Sequence, residues 1–205
     1  MLELDNKLIR FEEATHSYYR VEDGLRVPGI SELLKYFGYI DDRYYSDIPR
    51  DRGIIVHDTI ADLCNGGQAA LGHDDPEIVG RIEAFVAFQQ AKDFRAQHIE
   101  QIFFNPLINL ACRVDLMGTF GDAPIPVIIE IKCGSKAMWH ELQTAAQALC
   151  YGPVPIRRFV LYLKSDGKFD LREFTDRSTV PLVQSMIALY WWNKAHGITL
   201  VQGRP

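Results

Sequence analysis

The chain has 205 residues, of which 47% are hydrophobic, 24% charged and 11% aromatic, a composition that excludes a largely disordered polypeptide and suits one or two globular domains. The formal net charge of −5 argues against a protein that coats nucleic acid with a basic surface. It does not argue against an enzyme that keeps acidic metal ligands in a cleft and confines Lys and Arg to the walls.

Residues 7–27 read as short strands around a turn, with Asp23-Gly24 as the hairpin signal. Pro28 opens a segment, Ile30 to Phe37, that is apolar at helical spacing and stopped by Gly38. Residues 39–50, with Tyr39, Tyr44 and Tyr45, read as a loop. Arg52 to Cys64 is expected to be a helix with Ile54, Ile55, Ile60, Ala61 and Cys64 on its apolar stripe, ended by Asn65-Gly66-Gly67. Gly72 to Pro76 is a turn and N-cap, and a second long helix runs from Pro76 to about Phe94. From His98 the period falls from 3.6 to 2. His98–Asn105, Leu107–Met117 and Ile125–Cys133 form a three-strand meander, followed by a helix over Ala137–Tyr151. Arg158–Lys164 and Lys168–Phe174 flank a hairpin turn at Ser165-Asp166-Gly167, and Ser178–His196 is a final helix.

This order predicts an α/β (α+β) fold, with a central mixed sheet flanked by helices and a short N-terminal β-hairpin appendage. A single domain over 1–205 is expected, with a hairpin and helix in 1–38 and the core in 50–196. No apolar run approaches the roughly 18 residues of a membrane span. The acidic start, Met1 to Asp5, lacks the pattern of a signal peptide, so a cytoplasmic protein with no membrane partner is expected. Cys64, Cys112, Cys133 and Cys150 include no C-x-x-C pair, which argues against a disulfide framework, a zinc ribbon or an iron–sulfur cluster and leaves buried thiols.

The chemistry concentrates in Val127-Ile128-Ile129-Glu130-Ile131-Lys132-Cys133-Gly134. Alternation along a strand puts Glu130 and Lys132 on one face and Ile129, Ile131 and Cys133 on the other. Two charges inside an apolar strand are costly unless paired, solvated or bound. In the preceding strand, Cys112-Arg113-Val114-Asp115 supplies another carboxylate that meander pairing can place beside Glu130. Two carboxylates that close raise one pKa unless a hard cation, Mg²⁺ or Mn²⁺, holds both ionised. Taken singly, a Glu-x-Lys alternation is common on a solvent-facing edge strand, and a lone Asp is as often a turn residue.

Asp115 followed by Glu130-Ile131-Lys132 resembles the D…(D/E)-x-K signature of the PD-(D/E)XK nucleases, and in particular their RecB-like and phage exonuclease branch. Arg52-Gly53-Ile54-Ile55-Val56-His57 is similar to that branch's Gly-x-x-x-His helix start. His98-Ile99-Glu100-Gln101 is similar to its acidic strand, and Leu142-Gln143-Thr144-Ala145-Ala146-Gln147 to its Gln-x-x-x-Tyr helix. The leader His16 to Leu34 and the strand Arg158 to Asp170 extend the likeness over nearly the whole chain. One departure is Gln147 where the family has Tyr. The shifted reading Gln147 to Tyr151 restores the pattern, so the motif glutamine is either Gln143 or Gln147.

The resemblance implies a restriction-endonuclease-like core. It implies a deoxyribonuclease that uses one or two Mg²⁺ or Mn²⁺ ions held by His57, Asp115, Glu130 and the Ile131 carbonyl, with Glu100 a weaker candidate for a second ion. Lys132 would position or deprotonate the attacking water, and Gln143 or Gln147 would orient the nucleotide. Arg52, Lys136 and Tyr151 are candidate substrate contacts, with Arg43 and Arg50 weaker ones. The substrate would be linear duplex or single-stranded DNA, cut from an end in phage or prophage recombination or repair. The resemblance also admits a homo-oligomer and a recombination partner protein. Three rivals stand beside this reading: an HD phosphohydrolase built on His57-Asp58 and His73-Asp74, a structure-selective endonuclease or junction resolvase on the same fold, and a non-catalytic DNA-binding relic. His16 and His73 read as turn or surface residues, and Trp139, Trp191 and Trp192 as packing.

Overall fold

The structure is a computed structural model that describes residues 7–41, 47–67 and 73–200. Residues 1–5, Arg43, Tyr44, Tyr45 and Gly72, named above, lie outside the described residues. The chain begins with β1 (Ile9–Glu12), β2 (Ser17–Arg20), β3 (Arg26–Val27), α1 (Ile30–Tyr36), α2 (Asp47–Cys64) and α3 (Pro76–Lys92). It continues with β4 (Phe94–Asn105), β5 (Leu110–Phe120), β6 (Val127–Lys132), α4 (Trp139–Tyr151), β7 (Arg157–Leu163), β8 (Phe169–Phe174) and α5 (Thr179–Ala195).

The larger sheet has the order β4-β5-β6-β7-β8. Its pairs are antiparallel except β6–β7, which is parallel and joined by the α4 crossover. Helices cover both faces, as the mixed-sheet expectation requires. On one face Leu33 of α1, Ala145 of α4 and Ile187 of α5 pack with Ile128. On the other, Val56 and Ile60 of α2 and Phe85 and Phe88 of α3 pack with Ile129, Ile131 and Leu161. Alternation along β6 therefore feeds two separate cores. α3 comes so close to the β7–β8 turn that a Cβ on Gly80 would lie 1.9 Å from the Ser165 carbonyl oxygen, so only glycine fits there.

The N-terminal appendage is a three-stranded antiparallel sheet, β1-β2-β3, rather than a single hairpin. Its first turn is a 3₁₀ segment closed by His16, whose φ of 51° is left-handed and which no turn dipeptide announces. The sheet is anchored to the larger one by a parallel bridge between Gly29 and Ala111, and by Tyr18, Val27, Phe104 and Ala111 in a shared cluster.

Three element boundaries differ from expectation for local reasons. α2 starts at Asp47, with Pro49 in its first turn, where a missing N–H leaves no helical bond unmade. β4 takes over at Phe94 because Asp93, in the left-handed region at φ 46°, ends α3 and turns the chain. β5 starts at Leu110, since Leu107 sits in the preceding turn with 92% exposure. The apolar stripe of α2 is also rotated: Val56 and Ile60 are buried while Ile54 is exposed. Trp192, expected to pack, is exposed and stacks on His196. Cys112 and Cys150 are buried thiols and Cys64 and Cys133 are half-buried, all four free. Among the described residues no helix is long and apolar enough to cross a membrane.

Candidate active site

The site forms where β4, β5 and β6 lose regularity together. The β5–β6 ladder runs through Gly118–Val127 and Met117–Ile128 and ends at Leu116–Ile129, so the next step along the register is Asp115 opposite Glu130. There the Asp115 side chain replaces the main chain: its Oδ2 accepts the Ile131 N–H at 2.7 Å. On the other side of β5, Ile99 pairs with Leu116 and Gln101 with Val114, which sets Glu100 opposite Asp115. Glu100 has φ 49°, an unusual backbone state for a non-glycine residue inside a strand. The side-chain alternation slips here as well. Cys112 and Val114 lie in the first core, Leu116 in the second and Met117 in the first again. Three carboxylates thus stand in a row across three strands at a local break in the pleat.

Asp115, 9% exposed, and Glu130, 3% exposed, are among the few buried charged groups. His57, on α2, places Nδ1 3.6 Å from Asp115 Oδ2. His57, Glu100 and Asp115 each offer a donor atom within 4.8 Å of the others, a group suited to one cation. Glu130 is held from the opposite side. Its Oε1 accepts from Lys132 Nζ at 2.7 Å and from Gln143 Nε2 at 2.6 Å, and its Oε2 accepts from Gln147 Nε2 at 2.6 Å. Gln143 and Gln147 are one turn apart on α4, so both glutamines face Glu130. Each keeps a buried Oε1 with no partner among the described residues. Lys132 Nζ also lies 5.2 Å from the centre of the Trp139 ring, a cation–π contact.

Protonation follows from this crowding. Burial and the Asp115 charge raise Glu130 above the usual carboxylate range. Burial would raise Asp115 too, but His57, Lys132 and the Ile131 N–H outweigh it and hold that carboxyl low. Burial and the Asp115 charge push Glu100 up to about 7, although Arg113 Nε stands 2.9 Å from its Oε2. Burial disfavours charge on His57, yet the Asp115 carboxylate pushes it up to about 9.

His57, Asp115, Glu130, Lys132 and Gln143 form the floor of a cleft of about 510 Å³, walled on one side by the N-terminal sheet and α1. Arg26, Lys35 and Arg113 line it with Ser31, His16 and Glu32, the last ion-paired with Arg26 at 2.9 Å, so three cations to one acid stand above a carboxylate floor. None of these wall residues was singled out as a substrate contact from the sequence. They come from elements distant in the chain, and no local pattern marks them.

The remaining expected contacts lie elsewhere. Arg52 pairs with Asp75 at 2.7 Å and Glu77 at 3.0 Å. Lys136 is ion-paired with Asp170, and Tyr151 packs edge-on against Phe103 in the first core. Arg50 is exposed and beside Asp51, 3.4 Å away. His73 accepts the Asp75 N–H in the turn before α3. Asp58 and Asp74 are exposed and apart from the cleft lining, so the His-Asp pairs of the phosphohydrolase rival are not assembled.

Next to the site, His140 is 3% exposed and its Nδ1 accepts from the Ala137 N–H (3.4 Å) and lies 2.9 Å from the Tyr162 hydroxyl. Burial and the Lys132 charge push it down to about 4. A histidine so depressed is neutral in the folded protein while the unfolded chain takes up a proton. Its stabilisation is therefore complete above about pH 6.5 and falls as the pH drops toward 4. Denaturant titrations are expected to lose on the order of 3 kcal/mol across that window, and His140→Gln should flatten the loss. An identical pH dependence in the variant would assign the acid lability to other groups.

No family model matches the chain, and no curated protein is similar to it. Among solved structures, the alkaline exonuclease LHK-Exo of Laribacter hongkongensis is 13% identical, with a TM-score of 0.46 over 83% of this chain and 89% of that one. The same protein in complex with dAMP gives 13% identity, the same coverage and a TM-score of 0.45. A candidate exonuclease of Eubacterium rectale is 10% identical, with a TM-score of 0.48 over 85% of this chain and 82% of that one.

Proposed function

We propose that the protein is a divalent-metal-dependent deoxyribonuclease that hydrolyses phosphodiester bonds, acting from DNA ends. The observation that carries this reading is the convergence of His57, Asp115, Glu130 and Lys132 on the floor of one cleft, with Glu100 beside His57 and Asp115. A non-catalytic relic has no need of buried carboxylates and an ammonium in such proximity, since each is costly to bury.

The donor set fits a cation that takes oxygen and imidazole ligands. His57, Glu100 and Asp115 would hold it, with Glu130 joining from the other side. The mixed set favours Mn²⁺ over Mg²⁺ in affinity, by its imidazole and by the ordinary order of divalent ions. Such an ion supplies charge neutralisation at the scissile phosphate and lowers the pKa of water at the site. The chain's own groups do the rest. Asp115 is fixed in orientation by the Ile131 N–H, and Glu130 by the two glutamines. Lys132 sets an ammonium at the cleft floor, where it can hold the attacking water and meet the charge that develops on phosphate. Arg26, Lys35 and Arg113 provide counter-charge for the phosphates on either side. The preference for ends, and a role in recombination or repair with a partner protein or as a homo-oligomer, rest on the sequence resemblance.

Cleavage of end-labelled linear duplex, compared with the same DNA as a closed circle, tests the reading in Mg²⁺ or Mn²⁺ with and without chelator. Metal-dependent loss of the linear form alone is expected. Cutting of the circle would make the enzyme an endonuclease on this fold, and no cleavage of duplex, single-stranded or branched DNA would defeat the nuclease reading.

A further inference from the structure

The end of β6 has two sides. Lys132 faces the cleft, while Cys133, the next residue, faces two adjoining hollows of about 340 and 290 Å³ that share Arg81, Cys133 and Gly134. We propose that these hollows form a second phosphate-binding groove, which holds the backbone of a nucleic-acid strand whose reacting phosphate lies in the cleft. The inference rests on the nuclease reading and extends it to a separate surface.

Four cations from four separate segments meet there: Arg52 of α2, Arg81 of α3, Lys136 of the β6–α4 loop and Lys164 beyond β7. Glu77 and Asp170 line the hollows and Asp75 pairs with Arg52 from beside them, so four cations face three carboxylates. Arg81 is the most informative member. Its side chain is only 14% exposed and its Nη1 donates to the Glu77 carbonyl at 2.7 Å and carboxylate at 3.0 Å, yet its Nε is buried with no acceptor among the described residues. A buried donor without an acceptor is unfavourable until something supplies one. A phosphate oxygen is such an acceptor.

The loop above the groove suits a close-approaching backbone. Gly134 is exposed, lines both hollows and has open space around it, so a strand meets no side chain there. Arg52 and His57 both belong to α2, one lining the second hollow and the other the cleft, and Cys133 and Lys132 are consecutive in β6, so the two sites adjoin at this end of the sheet. The pairing of Arg52 and Lys136 with carboxylates does not remove them from this role, because Lys136 is half-exposed and held by the exposed edge of Asp170. A phosphate can displace or share that contact.

The test uses the full chain and a fluorescein-labelled single-stranded oligonucleotide, with binding read by anisotropy in chelator over a salt series. Lys136→Ser/Lys164→Ser changes exposed side chains, so folding is preserved. The double variant is expected to lose affinity on the order of tenfold at low salt and to lower the salt slope by about 1.4, as two lost phosphate contacts require. Asp170→Asn should change affinity in the opposite sense, tightening binding a few-fold, which no general loss of structure can do. Mn²⁺ affinity by calorimetry should stay unchanged in both. Unaltered oligonucleotide affinity and slope in both variants would overturn the groove and leave the nuclease reading standing. That reading fails separately, through absence of metal-dependent cleavage by the wild type. If the double variant loses binding of a free mononucleotide but not of the oligonucleotide, the hollow serves released product, and the strand assignment is wrong.

Discussion

Asp115→Asn is expected to abolish Mn²⁺ binding and DNA cleavage together, with a fall in turnover on the order of 10³-fold or more, equivalent to about 4 kcal/mol of barrier. The substitution keeps size and shape, and its amide oxygen can still accept the Ile131 N–H that Asp115 now receives at 2.7 Å. The splay between β5 and β6 should therefore persist while the negative charge beside His57 and Glu100 disappears. Glu130→Gln makes the comparison sharper. It should be equally inactive, and without metal it should melt no higher than the wild type, because its amide would turn a donor toward donors that Glu130 now accepts and leave Lys132 without its carboxylate. Asp115→Asn should lose stability too, since its carboxyl is held low by His57 and Lys132. Calorimetry with Mn²⁺, thermal melts in chelator and end-labelled cleavage read the three quantities separately. Full activity in either variant would remove these carboxylates from the site.

The parts of this site that were legible in the sequence are those where charge conflicts with an apolar frame. Glu130 and Lys132 stand out because neither belongs in a buried strand, and their common face follows from strand periodicity alone. Asp115 becomes readable through its place in the neighbouring strand of the meander. The choice between Gln143 and Gln147 could not be made from spacing, and the reason is physical. Residues four apart share a helix face, so both amides reach Glu130, one at each oxygen. Other features depend on contacts that no local pattern encodes. The left-handed Glu100 and the slip of alternation at Asp115 arise from how three strands accommodate one another. Arg52 and Lys136 are candidate phosphate contacts in the sequence, where nothing shows which side of the β6 end they occupy. Ion pairs with Asp75, Glu77 and Asp170 hold them apart from the cleft. The cationic wall formed by Arg26, Lys35 and Arg113 requires the N-terminal sheet to dock on β5 through Gly29 and Ala111, a contact between segments some eighty residues apart.

Lys132→Met separates the chemistry of the ammonium from its packing. A Met side chain retains most of the aliphatic stem and an apolar contact with Trp139, while it removes the charge that lies 2.7 Å from Glu130 Oε1. An ammonium has three donors and no acceptor, so Lys132 contributes nothing directly to holding a cation. The expected result is Mn²⁺ affinity within about threefold of the wild type and DNA affinity little altered, with turnover lowered by roughly 10²- to 10⁴-fold. Lys132→Arg should not restore the rate, because a planar guanidinium cannot place a single charge at the same point between Glu130 and the ring. The two glutamine amides still satisfy Glu130 in these variants, which limits the structural loss that removal of a buried partner would otherwise bring. A large change in Mn²⁺ affinity with proportionate loss of rate would mean that Lys132 acts by setting the charge of Glu130. An unchanged rate would reduce it to a counter-ion for that carboxylate and move the search for the group that handles the attacking water to His57 and Glu100.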